Sequence, residues 1–364
     1  MASNKNQHFV PRCYLRAFTI GGSNVAINLF NIDRLKFIPN APVKNQCSQD
    51  YFYGHDLRLE RALQPIESAY AQLMSNIGEP GYSLMDNHRT LLRQFWLLQH
   101  VRTEAASVRA AEMFSNVGAA VDVDANEFRL SISEAIQDSM SLFPTHQHAI
   151  DDLKICLLHN RTRTPFVTSD DPAILTNRWA LERHRTMADS FGLHTAGALL
   201  LLPLSPRILC VAYDGDVYSL PHNGGWVDIR CEVDVRAFNQ HQYLNCRANI
   251  FVQDDKNADI VRDEFLATKP FRPHSRDIVH YAVFDGKEGD VSTFRVVGRE
   301  SAGNHQRAMI HSQVIHAKPS MWPKQISRRT KSKVYTNGTG LGYVREDSQS
   351  RRSAGAGFRK ESAW

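Results

Sequence analysis

The sequence predicts an α+β protein: a mixed sheet from N-terminal and central strands, packed with a helical layer and followed by a disordered basic C-terminal tail. Three observations carry this. Strand-like and helix-like segments come in runs without regular alternation, which argues against a doubly wound sheet. Charge is divided along the chain, with eleven Lys and Arg against three acids over residues 318–364, net +8, and 32 basic against 35 acidic groups over residues 1–317, net −3. Beyond about residue 318 no hydrophobic period persists and Ser, Gly, Lys and Arg dominate, so this segment is expected to bury too little apolar surface to offset the entropy of ordering. One folded domain over 1–317 and a basic tail over 318–364 are therefore expected.

The elements follow in order. In "GGSNVAINLFNIDRLKF" (21–37) a Gly-Gly turn precedes an extended apolar segment and a polar break, which reads as turn, strand, turn, with a second strand near "DYFYG" (50–54). Over 56–78, Leu59, Leu63, Ile66, Ala69, Tyr70 and Leu73 recur at three and four residues, predicting a helix that ends at Gly78 and is kinked by, or begins near, Pro65. Residues 86–118 carry the clearest helical period, with Asp86 or Asn87 as cap. Two more helices are expected over 124–143 and 146–160, so the middle of the chain reads as a helical layer. Three strands are expected within 164–214, a helix over the period of Val235, Phe238, Tyr243 and Cys246, and a late hairpin from 277–286 and 292–300.

Composition narrows the class. Apolar residues at 42% and charged residues at 22% are ordinary for a globular protein. The longest apolar run, "AGALLLLPL" (196–204), is far short of the roughly 20 residues a membrane helix needs, so no membrane partner is expected. The opening "MASNKNQHFV" has neither the basic flank nor the apolar stretch of a signal peptide, which points to the cytoplasm. Six cysteines without a C-x-x-C pair suggest buried free thiols, not a zinc site or a disulfide framework.

Several strings then occur together: "QHFVPRCYLRAF", "YFYG" with "LERALQPIESAYAQL", "LQHVRT", "PFVTSDDPAIL", "LLLPLSP" and "AFNQHQYLNCRANIFV". In this order they resemble the bacterial family catalogued as domain of unknown function 4238, over residues 7–253. The resemblance implies a shared fold. It brings no established reaction, and it leaves out the basic tail.

Three side chains stand out as site candidates. His8 precedes Pro11, as in the D-H-x-x-P string of ββα-metal nucleases, and Gly21, Gly22, Asn28 and Leu29 follow, but the spacing differs and no H-x-x-x-H pair comes after. A histidine tied down beside Tyr14 and Phe18 is the structural alternative. Asp170, in the S-D-D-P string, is suited to hold a divalent metal or orient a water, and equally to make a turn. Arg102, with His100 on the strongest helix, is suited to a phosphate or to a buried ion pair with Asp170. The first functional reading is a metal-assisted phosphodiester hydrolase acting on nucleic acid, with His8 as general base, Asp170 and His8 at a divalent metal, and Arg102 on the phosphate. It requires the three to converge. The second is a non-catalytic nucleic-acid or protein binding module, regulatory or in host defence, in which these residues are polar ties. The tail's +8, interleaved with Tyr335, Tyr343, Phe358 and Trp364, suits nucleic acid in either reading, or serves only solubility. Substrate, metal and oligomeric state stay open at this level.

Overall fold

The computed structural model describes residues 5–120, 132–141, 143–183, 190–288, 291–303, 307–350 and 357–364. The chain opens with β1 (Asn6–His8) and α1 (Arg12–Leu15), then β2 (Ala26–Asn31), β3 (Lys36–Pro42) and β4 (Ser48–Asp50). The helical layer is α2 (Arg58–Ile77), α3 (Asp86–Arg102), α4 (Glu104–Ala120), α5 (Ile132–Ser141) and α6 (Phe143–His146). Then come β5 (Lys154–Asn160), β6 (Thr168–Ser169), β7 (Ile174–Thr176), α7 (Arg178–Arg183), β8 (Leu199–Ser205), β9 (Ile208–Tyr213), β10 (Tyr218–Ser219) and β11 (Trp226–Ile229). The chain continues through α8 (Glu232–Asn245), β12 (Asn249–Val252), α9 (Ala258–Thr268), β13 (Asp277–Glu288), β14 (Val291–Val297), α10 (Arg299–Ala302) and β15 (Ala308–Val314). It ends in β16 (Ser327–Arg328), β17 (Val334–Thr336), β18 (Tyr343–Val344), α11 (Glu346–Ser350) and β19 (Arg359–Glu361). The class is α+β, as expected. Among the described residues no helix is long and apolar enough to cross a membrane.

Two sheets stand where one was expected. The N-terminal strands form an antiparallel sheet in the order β3-β2-β12-β6, whereas the central strands form a separate mixed sheet, β11-β5-β9-β8-β7, whose β11–β5 pair is parallel. The reason lies in β12, whose Ile250 faces Phe30 on one side and Ser169 on the other, and so draws β2 away from the central strands. Residues 164–214 hold four strands, not three. Tyr14 links the two sheets through its hydroxyl, 2.7 Å from Thr168 Oγ1 beside β12 and 2.6 Å from the Pro203 carbonyl in β8.

Other expectations are corrected by packing. Residues 154–160 are a strand, not a helix, because Ile155, Cys156, Leu157 and Leu158 are all buried on a sheet covered on both faces, where a continuous apolar run replaces alternation. The long helix from Asp86 is two helices, broken at Thr103, whose backbone is extended (φ −75°, ψ 157°). Met85 precedes α3 without a side-chain cap, so neither Asp86 nor Asn87 plays that part. The helix α2 runs on through Pro65 from Arg58 to its end at Gly78. The helix expected over 124–143 lies partly outside the described residues, which contain α5.

The basic segment is not a free arm where it is described. Ile326, Val334, Val344 and Ala363 are buried against the main core. The Ala363 carbonyl accepts from Trp179 Nε1 at 2.5 Å, and Trp364 Nε1 donates to the Val217 carbonyl at 3.0 Å. Arg345, at 3% exposure, donates to both oxygens of Asp152 (2.7 and 3.0 Å) and to the carbonyls of Ala149 and Leu193. Strands of two and three residues give no readable period, yet a few buried anchors suffice to hold the segment down. Residues 351–356 of the expected tail lie outside the described ones.

Candidate functional site

His8 ends β1, and both its carbonyl and its ring, which is hydrogen-bonded to the Val43 backbone, are tied into the fold. The His8 carbonyl accepts from Arg102 Nη2 at 2.9 Å and from the Tyr53 hydroxyl at 3.2 Å. Arg102, 1% exposed, also donates from Nε to the Tyr53 oxygen (2.8 Å) and from Nη1 to Glu67 (2.7 Å), so all three of its nitrogens are engaged. The His8 Nε2 atom is sealed in without a hydrogen-bond partner, and burial, with Arg12 adding to it, pulls the ring down to about 4. His8 and Arg102 therefore do meet, as a polar tie that fastens the start of the chain to α3.

Asp170 belongs to a different arrangement. Its Oδ1 accepts from the Arg247 amide (2.8 Å) and its Oδ2 from the amides of Ala248 and Asn249 (2.7 and 2.9 Å). Burial pushes it up to about 6 despite these three bonds. Its carboxylate anchors the turn that leads into β12, and neither His8 nor Arg102 is among its partners. Both oxygens are already turned to backbone donors, which disfavours the metal-ligand role read from the sequence. Among the described residues no group of three or more His, Cys, Asp and Glu side chains is arranged to hold a metal ion.

The next residue points elsewhere. Asp171 accepts from Thr103 Oγ1 at 3.0 Å and pairs with Arg109 through its other oxygen. Thr103 also accepts from the Ala106 amide at 3.1 Å, so one side chain caps α4 and positions Asp171 at the same time. Behind it, Ser169 donates to Gln242 (2.7 Å), and Gln242 donates to the Pro172 carbonyl (3.0 Å), clamping the S-D-D-P string to α8.

Asp171 and Arg109 face a cavity of about 300 Å³ bounded by α4, residues 171–175, Asn245, Arg276 and residues 314–316. A second cavity of about 340 Å³ adjoins it, sharing Arg109, Asn245 and Arg276 and adding Arg247 and Arg272. Arg272 donates to the carbonyls of Tyr243 (2.5 Å) and Cys246 (2.7 Å), and Arg276 to the Leu244 carbonyl (2.8 Å) and Asn245 Oδ1 (3.0 Å). Cations are at home on the carbonyls at the end of α8. Burial lowers Arg276 to about 10, and Arg109 and Arg272 press it the same way while Asp171 opposes them.

Three histidines, His100, His146 and His316, border the first cavity, and His100 and His316 are tied to carbonyls. His100 Nδ1 lies 3.2 Å from the Ala173 carbonyl and His316 Nε2 lies 2.7 Å from the Phe191 carbonyl. A carbonyl only accepts, so those nitrogens carry the protons and each ring keeps its other nitrogen as a lone pair. Burial first, then Arg109, lowers His100 to about 4, and burial lowers His316 to about 3, so both are neutral near pH 7.

The strings "LQHVRT", "TSDDPAIL" and "QYLNCRAN" thus supply His100, Asp171 and Asn245 to one cleft. A family model described as "Protein of unknown function (DUF4238)" matches residues 6–256. The chain belongs to this family. No curated protein and no solved structure matches it. The DUF4238 match ends at residue 256, so the cleft joins family strings to Arg272, Arg276 and His316 from beyond it. Those three, and Arg109, were missed in the sequence. Arg109 sits seven residues after Arg102 in a run of small helix formers, a spacing that puts both on one side of a continuous helix, and the break at Thr103 undoes that inference. Nothing near Arg272, Arg276 or His316 signals a site.

Proposed function

We propose that this chain is a binding module for an anionic, phosphate- or carboxylate-bearing ligand taken up between α4, residues 171–175 and the start of β13. One observation carries the reading. Arg276 is half-buried beside Arg109 and Arg272, and its hydrogen bonds, like those of Arg272, go to neutral acceptors. The carboxylates of the inner cavity are otherwise engaged, Asp171 with Thr103 and Arg109, and Asp277 with the Asn116 amide at 3.1 and 3.0 Å. Arg272 and Arg276, half-buried and hydrogen-bonded to neutral groups, favour an incoming anion. Calorimetric titration of inorganic phosphate into the wild-type chain tests this. Arg276→Gln should weaken binding about tenfold or more, and undiminished affinity in that variant would contradict the reading.

A second reading, hydrolysis of a phosphodiester, is favoured by His100 alone. Its Nε2 keeps a lone pair and the residue lines the cavity shared with Arg109 and Arg276, so it is the better base than His8. It would take a proton from water as the water oxygen bonds to phosphorus and the leaving oxygen departs. Cleavage of an oligonucleotide with Mg²⁺ present, lost in His100→Asn but kept in His8→Ala, would support this reading over simple binding. The basic C-terminal segment remains a proposed nucleic-acid contact, through exposed Lys318, Lys324, Lys331 and Lys360.

A further inference from the structure

The two adjoining cavities differ in kind. The inner one is walled largely by apolar side chains, among them Val101, Met113, Ile174, Leu193 and Ile315. On α4, Ala106, Ala110 and Met113 are spaced by four and three residues along one face of the helix, and all three line the chamber. Two of the histidines that border it are neutral and lie flat on other rings, His100 on Trp96 (centroids 4.7 Å apart, 17° between planes) and His316 on Phe191 (3.8 Å, 9°). Ser139 and His146 also line it. The outer cavity instead gathers Arg109, Arg247, Arg272 and Arg276, together with the exposed carboxylates Asp33 and Glu112. Arg109 and Arg276 stand at the junction, since they line both.

We infer that the ligand is amphipathic, with an anionic head at Arg109 and Arg276 and an apolar chain filling the inner cavity. The inference rests on the anion-binding reading and narrows it. An ion alone would leave an apolar chamber of about 300 Å³ unused, and a neutral hydrocarbon would leave Arg276, whose hydrogen bonds go to neutral acceptors, without a counter-charge. A small cavity with mostly apolar walls and a few convergent polar groups at one end suits a ligand of matching polarity.

Calorimetric titration with inorganic phosphate and then n-alkyl phosphates from methyl to octyl tests it. Affinity should rise about fourfold per added methylene, the equivalent of about 0.8 kcal/mol, until the chamber is full. Ala110→Phe should flatten that series and leave inorganic phosphate within about twofold of wild type. Met113→Trp fills the same space from a half-buried position, so it repeats the test should Ala110→Phe fail to fold. Phosphate binding with a flat alkyl series in the wild type would overturn the amphipathic ligand and leave the anion site standing. Absence of binding by any member would overturn both. A slope that survives both filling variants would overturn the assignment of this chamber, and equal affinity for n-alkyl trimethylammonium ions would overturn the role of the arginines.

Discussion

Individual residues in this molecule take their roles from backbone partners that a sequence does not display. His8 is the clearest case: the tie to α3 runs through its carbonyl, so His8→Ala keeps the bonds from Arg102 and Tyr53, gives up the ring's packing and its hydrogen bond to the Val43 backbone, and should cost only about 1 to 2 kcal/mol. Removing Arg102 is different. Arg102→Leu would strip Glu67 of its ion pair and the Tyr53 oxygen of its donor, and leave the His8 carbonyl with the Tyr53 hydroxyl alone, and should cost on the order of 3 to 5 kcal/mol. Denaturant unfolding of the two variants measures this, and a His8→Ala loss equal to that of Arg102→Leu would refute the division of roles. The S-D-D-P string was readable as a turn with chemical potential, and both parts are present. What the string concealed is that its carboxylates divide the work, Asp170 holding three amides and Asp171 holding Arg109.

At the scale of elements, legibility followed exposure. Amphipathic helices and the late hairpin of β13 and β14 were readable because one face meets solvent. Strand β5 was not, because a strand buried on both faces has no period of two to see. The α3–α4 break was hidden because Thr103 interrupts a sequence that stays helical in composition on both sides, and the signal was only one capping residue followed by Glu104. The C-terminal strands were the largest omission, for they are too short to show alternation. Their packing makes a prediction. Deleting residues 318–364 would uncover Ile326, Val334, Val344 and Ala363 sites on the core and strip the partners of Trp179 and Asp152, so the body should lose several kcal/mol and melt on the order of 10 °C lower. A truncated chain that melts with the full one would show that the segment contributes nothing to the fold.

For the whole molecule, buried titratable groups set a pH dependence with a definite sign. His8, His100 and His241 are lowered to about 4 and His316 to about 3, each chiefly by burial. Between their folded values and the ordinary histidine value near 6.5, the unfolded chain binds protons that the folded chain refuses, so acidification through this window destabilises the fold. Asp170 and Asp214, raised to about 6 by burial, act the other way between about 4 and 6, because there the folded state takes up its protons first. Burial also raises Glu60 and Glu264 and lowers His159, by less, so the four large histidine shifts outweigh the two large carboxylate shifts, and the melting temperature should fall as pH drops from 6.5 to 4. A constant or rising melting temperature over that range would contradict the burial of these imidazoles.

The proposed anion site lies at the half-buried arginines of the cleft and not at the basic surface. Net charge alone would favour the C-terminal segment, whose exposed lysines meet solvent and are screened by salt. The decisive measurement is the affinity for inorganic phosphate at moderate ionic strength in two multiple variants, Arg109→Gln with Arg276→Gln in the cleft, and Lys324→Glu with Lys331→Glu and Lys360→Glu on the surface. The account predicts loss of binding in the cleft variant and affinity within about twofold of wild type in the surface variant; the reverse pattern, with the cleft variant binding normally, would contradict it.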